Sequence, residues 1–141
     1  MMDIFFTFSL LFVAILVGSM IFFSGVMAPL IFTKLDEVTA GKFIRTVFPW
    51  YYLVIIFFAA LGAGCLFVSH EIECGILLII AIGGIFARQV LMPKINHYRD
   101  LMIQGEEAAE RTFKRLHSFS VWINSAQLLA GIATLTLLSW Q

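Results

Sequence analysis

Long charge-free apolar runs dominate the chain: Ile4 to Thr33, Thr46 to His70 and Leu116 to Gln141, of 30, 25 and 26 residues. Each exceeds the ~20 residues that carry a helix across a bilayer core. A weaker run, Cys74 to Ala87, has only 14 residues and ends at Arg88. It reaches spanning length when the helix includes Arg88 and continues to about Met92 or Pro93. The pattern predicts an all-α, integral membrane four-helix antiparallel bundle in a single domain, residues 1–141, with helices over about 4–33, 46–69, 74–103 and 106–139. A short amphipathic interfacial helix is expected over about 36–45, with Asp36 as its N-cap and Ile44, Val47 and Phe48 as apolar contacts. The first run has no basic n-region and is twice as long as the usual h-region, so it reads as a retained span rather than a cleavable signal peptide.

Charge placement orients this topology. Four crossings put residues 34–45 and about 94–115 on one side, and both termini with the turn at 69–73 on the other. All nine Lys and Arg residues (Lys34, Lys42, Arg45, Arg88, Lys94, Arg99, Arg111, Lys114, Arg115) lie on or toward the first side. Asp3, Glu71 and Glu73 mark the other. The positive-inside rule then makes the basic loops cytoplasmic, both termini non-cytoplasmic, and the membrane the cell's inner or plasma membrane. Trp50, Tyr51 and Tyr52 at one boundary and Trp140 at the other are placed as an aromatic belt. Gly105 is the expected turn between helices 3 and 4, and Glu106 to Glu110 set acids at the start of the last helix, where its dipole favours them.

Composition supports this reading and narrows the function classes. Of the residues, 61% are hydrophobic and 13% charged, and fifteen are Phe; the mean hydropathy is +0.98. A soluble globule, a disordered chain and a low-complexity repeat are all excluded. The formal net charge of zero implies no affinity for bulk polyanions, and nucleic-acid binding has no support beyond loop bases that topology explains. No Ser-His-Asp set, Gly-rich phosphate loop or His/carboxylate metal pattern is present, so neither an enzyme nor a metal site is expected. Alternation at spacing four of Ala59 and Ala63, Ala60 and Gly64, and Gly83 and Ala87 marks close helix contacts.

Candidate chemistry gathers at the basic end. Arg88 lies within a hydrocarbon layer ~30 Å thick, where an unpaired Arg costs at least ~2.5–3.5 kcal/mol. It either snorkels or finds partners. His117, Ser120, Asn124 and Gln127 follow at steps of three, four and three on the last helix, a polar stripe on one face. A hairpin turning at Gly105 sets mirror positions that sum to about 210, opposing Arg88 to residue 122 and His117 to Pro93. Pro93 frees the carbonyl of Gln89 and Pro29 that of Gly25, and Pro49 falls near the start of helix 2. The expectation is a vestibule open to the cytoplasm, with Arg88 attracting an anionic group, Asn124, Ser120 and His117 orienting it, and Arg99 at the mouth.

These residues also form a pattern. Gly25-x3-Pro29-x2-Phe32, Ala40-Gly41 with Phe48-Pro49-x-Tyr51, Arg88-x4-Pro93-x5-Arg99 and Phe113-x3-His117-x2-Ser120-x3-Asn124 resemble the transmembrane protein 205-like family, also catalogued as domain of unknown function 4149. The resemblance covers nearly the whole chain and implies a four-helix membrane protein. It implies no reaction. The expected function is binding, with transport as its extension, of a small amphipathic or anionic ligand or lipid in that vestibule. The alternative is a non-catalytic structural or accessory subunit of a larger membrane complex or homo-oligomer. A third reading, less favoured, is a b-haem carrier ligated through His97 and His117; no other cofactor is implied. Cys65 and Cys74 are level across the outer turn and are expected as buried free thiols in preference to a disulfide.

Overall fold

A computed structural model of the chain describes the backbone of residues 2–141 and the side chains from Ile4 onward; Asp3, expected at the acidic end, has no described side chain. Four helices follow one another: α1 (Ile4–Lys34), α2 (Glu37–Leu66), α3 (Glu71–Ile103) and α4 (Glu107–Ser139). Each is long and apolar enough to span a membrane. The described residues contain no strand. Around the bundle the neighbours are α1 and α2, α2 and α3, α3 and α4, and α4 and α1, which closes a four-membered ring.

Short connections force consecutive helices to run antiparallel. Between α1 and α2 the Asp36 carboxylate accepts from the Thr39 N–H at 3.0 Å, satisfying one of the donors a helix start leaves open. The α3–α4 turn closes as a Schellman motif. Glu106 N–H reaches the Leu101 carbonyl and Gly105 N–H that of Met102, with Gly105 at φ 94°, where a Cβ would be strained. The expected interfacial helix at 36–45 is not a separate element. It forms the first turns of α2, which runs unbroken through Pro49, because one proline within a long helix removes a single hydrogen bond and the flanking turns hold.

Facing positions recur in heptad-like steps. On α3, Cys74, Leu77, Gly84 and Arg88 point to α2: the Cys74 thiol donates to the Ala63 carbonyl at 3.4 Å, and a Cβ at Gly84 would press on Ile56. Ile80 and Gly83 of the same helix meet Gln127 of α4. On α4, Ala109, Ser120, Gln127, Gly131, Thr134 and Leu138 are the buried positions. Val13, Leu16, Met20, Ile55 and Leu77 fill the centre, while Phe22, Phe57, Ile79, Ile82 and Leu129 are exposed on the outside. Apolar residues on both faces suit a lipid solvent, in which helices associate by close packing rather than by hydrophobic exclusion. Of the paired small residues, Ala59, Ala63 and Ala87 are buried at contacts, but Ala60 and Gly64 face outward. Spacing alone does not tell a packing stripe from a lipid-facing one.

Two helices widen at matched places. Residues Phe23–Met27 of α1 and Ala87–Leu91 of α3 each form a π turn. The N–H of Ala28 reaches back to the Phe23 carbonyl and that of Met92 to the Ala87 carbonyl, in both cases five residues. Pro29 and Pro93 follow directly. A proline ring crowds the carbonyl four residues before it, and one extra residue in the turn relieves that crowding without breaking the helix.

Candidate functional site

The π turns position the polar residues of the basic half. Ser24 lies in the α1 bulge, five residues before Pro29, and Arg88 in the α3 bulge, five before Pro93. Asn124 of α4 bridges two other helices: its Oδ1 accepts from the Tyr51 hydroxyl of α2 at 2.6 Å, and its Nδ2 donates to Ser24 Oγ of α1 at 3.0 Å. Three helices thus meet in one chain of hydrogen bonds. Aromatic rings enclose it. Phe23 stacks on Tyr51 at 4.2 Å between centroids, Phe48 stacks on Tyr52 at 5.9 Å, and Tyr52 is only 1% exposed.

Arg88 turns to a different helix from the one expected. Its Nε donates to the Pro49 carbonyl of α2 at 3.1 Å, and among the described residues it makes no hydrogen bond to α4. The mirror arithmetic places levels correctly: Gln127 Nε2 meets the Ile80 carbonyl at 2.9 Å and Phe86 meets Phe119 at 6.5 Å, both pairs summing near the expected 210. Level does not fix direction, however. Arg88 continues the stripe of Cys74, Leu77 and Gly84, which faces α2.

Other expected members of the cluster are dispersed. Ser120 is buried but donates to the His117 carbonyl of its own helix at 2.7 Å, a local bond that leaves it no part in a shared site. His117 is exposed and stacked on Phe113. Its backbone position continues the stripe, but its side chain is exposed although Phe113 and Leu116 beside it pack against the core. Arg99 packs against the start of α2. It donates to the Glu37 carbonyl at 3.3 Å and lies flat over Gly41, where any Cβ would overlap the guanidinium. Pro29 and Pro93 are both exposed and act through the bulges that precede them. His97 is exposed beside Tyr98, so neither this ring nor that of His117 faces the bundle interior, where a ligand pair between helices would have to point.

A further correction concerns the belt. Trp50, 68% exposed, and Trp140, 85% exposed, fit a boundary position, whereas Tyr51 and Tyr52 belong to the core. Cys65 and Cys74 are both free thiols. No group of three or more His, Cys, Asp or Glu residues converges as metal ligands among the described residues. At the basic end Arg45 pairs with Asp100 at 2.6 Å and donates to the Asn96 carbonyl at 3.3 Å, tying the start of α2 to the end of α3. Lys114 pairs with Glu110 one turn away. The Asp36 carboxyl is held below the ordinary carboxylate range by its bonds from Thr39. At the other end Glu73 is buried and accepts from the Gln141 amide at 2.9 Å.

Sequence reasoning missed Ser24 and Tyr51. The available signal was the equal spacing of Ser24 and Arg88 before their prolines. A polar residue at that offset lies inside the widened turn.

The family model described as a domain of unknown function (DUF4149) matches residues 11–104, more than half of the chain. The chain belongs to that family. The match spans both bulges, Pro49, Tyr51, Arg88 and Arg99, and ends before Asn124. No curated protein and no solved structure matches the chain.

Proposed function

We propose that the protein is a non-catalytic membrane scaffold, an accessory subunit of a larger assembly, whose interior polar residues lock its own helices. Its basic end faces the cytoplasm and both termini the opposite side of the inner or plasma membrane, since all nine bases favour that orientation. The likeness to transmembrane protein 205-like proteins agrees with a compact four-helix body that carries no reaction.

One observation carries this reading: the polar side chains turned into the bundle are answered by the bundle itself. Asn124 is used by Tyr51 and Ser24, Gln127 by Ile80, Arg88 by Pro49 and Thr134 by Ala130. Among the buried side-chain nitrogens and oxygens described, only Gln127 Oε1 lacks a partner. A ligand pocket instead presents a few convergent polar groups left free for the ligand.

A second reading rests on Arg88. Its guanidinium uses Nε alone, and neither Nη group makes a hydrogen bond among the described residues. A small anionic or amphipathic ligand, bound or carried, would meet it there. Native mass spectrometry of gently extracted protein separates the two. The scaffold reading predicts the 15.9 kDa chain within a protein assembly and free of stoichiometric small molecule. A one-to-one small molecule that is lost in Arg88→Ala contradicts it and establishes the second.

A further inference from the structure

The five arginines divide into two groups. Arg45 is paired with Asp100, Arg88 with the Pro49 carbonyl and Arg99 with the Glu37 carbonyl. Arg111 and Arg115 have no hydrogen bond or ion pair among the described residues, and both lie on α4. With Lys114, Ser118, Phe119 and Trp122 they line one shallow hollow on the outer surface of that helix.

Order along this face is informative. Positions 111, 115, 118 and 122 follow at steps of four, three and four, so they share one side of the helix. The sequence of chemistries is two guanidiniums, a hydroxyl with no hydrogen bond among the described residues, and then an indole that is 75% exposed. Phe119, 49% exposed, stands beside it. Arg115 and Trp122 are seven residues apart, about 10 Å along the axis, which carries the face from headgroup depth to the first acyl carbons. The charge-free run begins at Leu116, directly between base and aromatic.

We propose that this face binds an anionic phospholipid, its phosphate held by Arg111 and Arg115 with the Ser118 hydroxyl, and its upper acyl chain lying on Phe119 and Trp122. Charge complementarity selects the anionic headgroup. The apolar continuation selects a lipid over a soluble anion, which would leave Phe119 and Trp122 without a role. Lys114 contributes less, because Glu110 already neutralises it. The assignment does not depend on the scaffold reading, since the hollow is lined by α4 residues alone and its arginines bond to no other helix among the described residues.

The test uses the full chain in lipid nanodiscs, with Trp50→Phe and Trp140→Phe so that Trp122 alone fluoresces. Brominated phosphatidylglycerol is expected to quench Trp122 at lower mole fraction than brominated phosphatidylcholine. The preference should fall roughly fivefold for each of Arg111→Gln and Arg115→Gln and persist in Arg45→Gln. Equal quenching by the two lipids overturns the proposal, as does a preference unchanged in the double variant Arg111→Gln/Arg115→Gln with an unaltered melting temperature. Loss of the preference on adding inorganic phosphate overturns the lipid as occupant and leaves an anion site. The scaffold reading fails separately, through the mass spectrum.

Discussion

The bulges of α1 and α3 have the same length, the same five-residue hydrogen bond and the same proline after them, yet they place different chemistry inside. In α1 the inserted polar residue is Ser24, a small neutral group whose hydroxyl accepts from Asn124 at 3.0 Å. In α3 it is Arg88, a long cation that spends one N–H on a carbonyl and remains half-buried. A shared backbone device therefore serves two ends. The neutral bulge knits three helices, because a short hydroxyl must be met at close range by partners that are themselves bonded. The charged bulge joins only two, because Arg can reach out from its backbone toward the headgroups.

Perturbations can break this contrast, and the largest effect is expected at Asn124. Asn124→Ala removes both bridges and leaves Tyr51 and Ser24 without their partner, so thermal unfolding in detergent should show a loss of about 1–3 kcal/mol. Ser24→Ala removes one bond and should lose about 0.6 kcal/mol in the same assay. Arg88→Met should change stability by less than about 0.5 kcal/mol, since an apolar side chain at this half-buried position avoids the desolvation that the cation suffers. An Arg88→Met loss larger than that of Asn124→Ala reverses the ranking and makes the charged bulge the structural one.

The smallest effect lies outside both bulges. The folded state holds the Asp36 carboxyl below its ordinary range through Thr39. A group lowered on folding adds stability that is complete above the ordinary carboxylate pKa and disappears as pH falls through the lowered value. Acid titration of unfolding should therefore show a slight decline at low pH that Asp36→Ala removes, with the bulge variants retaining it. Because Asp36 is fully exposed, this decline is expected to be the least of the set.

Element existence and level were readable from the chain; direction around each helix was not. Charge-free runs and Gly105 place three of the four helices, the end of α2 and the last turn to within a few residues, since length and a positive φ are local demands. Asp36 as a cap was equally legible. The start of α2 was misread because Pro49 looks like a helix opening, although at that point the helix was already formed. Arg88 was matched with the right level of α4 but the wrong neighbour, since each helix of a closed ring has two partners and periodicity in one chain does not name which. Tyr51 resembled a belt residue until Phe23 and Phe48 covered it. Such covering depends on three helices at once.

Asn124 and Tyr51 hold α4 to α2 across the bundle by a hydrogen bond. A double-mutant cycle of Tyr51→Phe and Asn124→Ala, read by thermal unfolding, measures that bond directly. Coupling of about 0.6 kcal/mol, and up to about 1.7 kcal/mol, is the predicted result. Strictly additive losses from the two substitutions would contradict it.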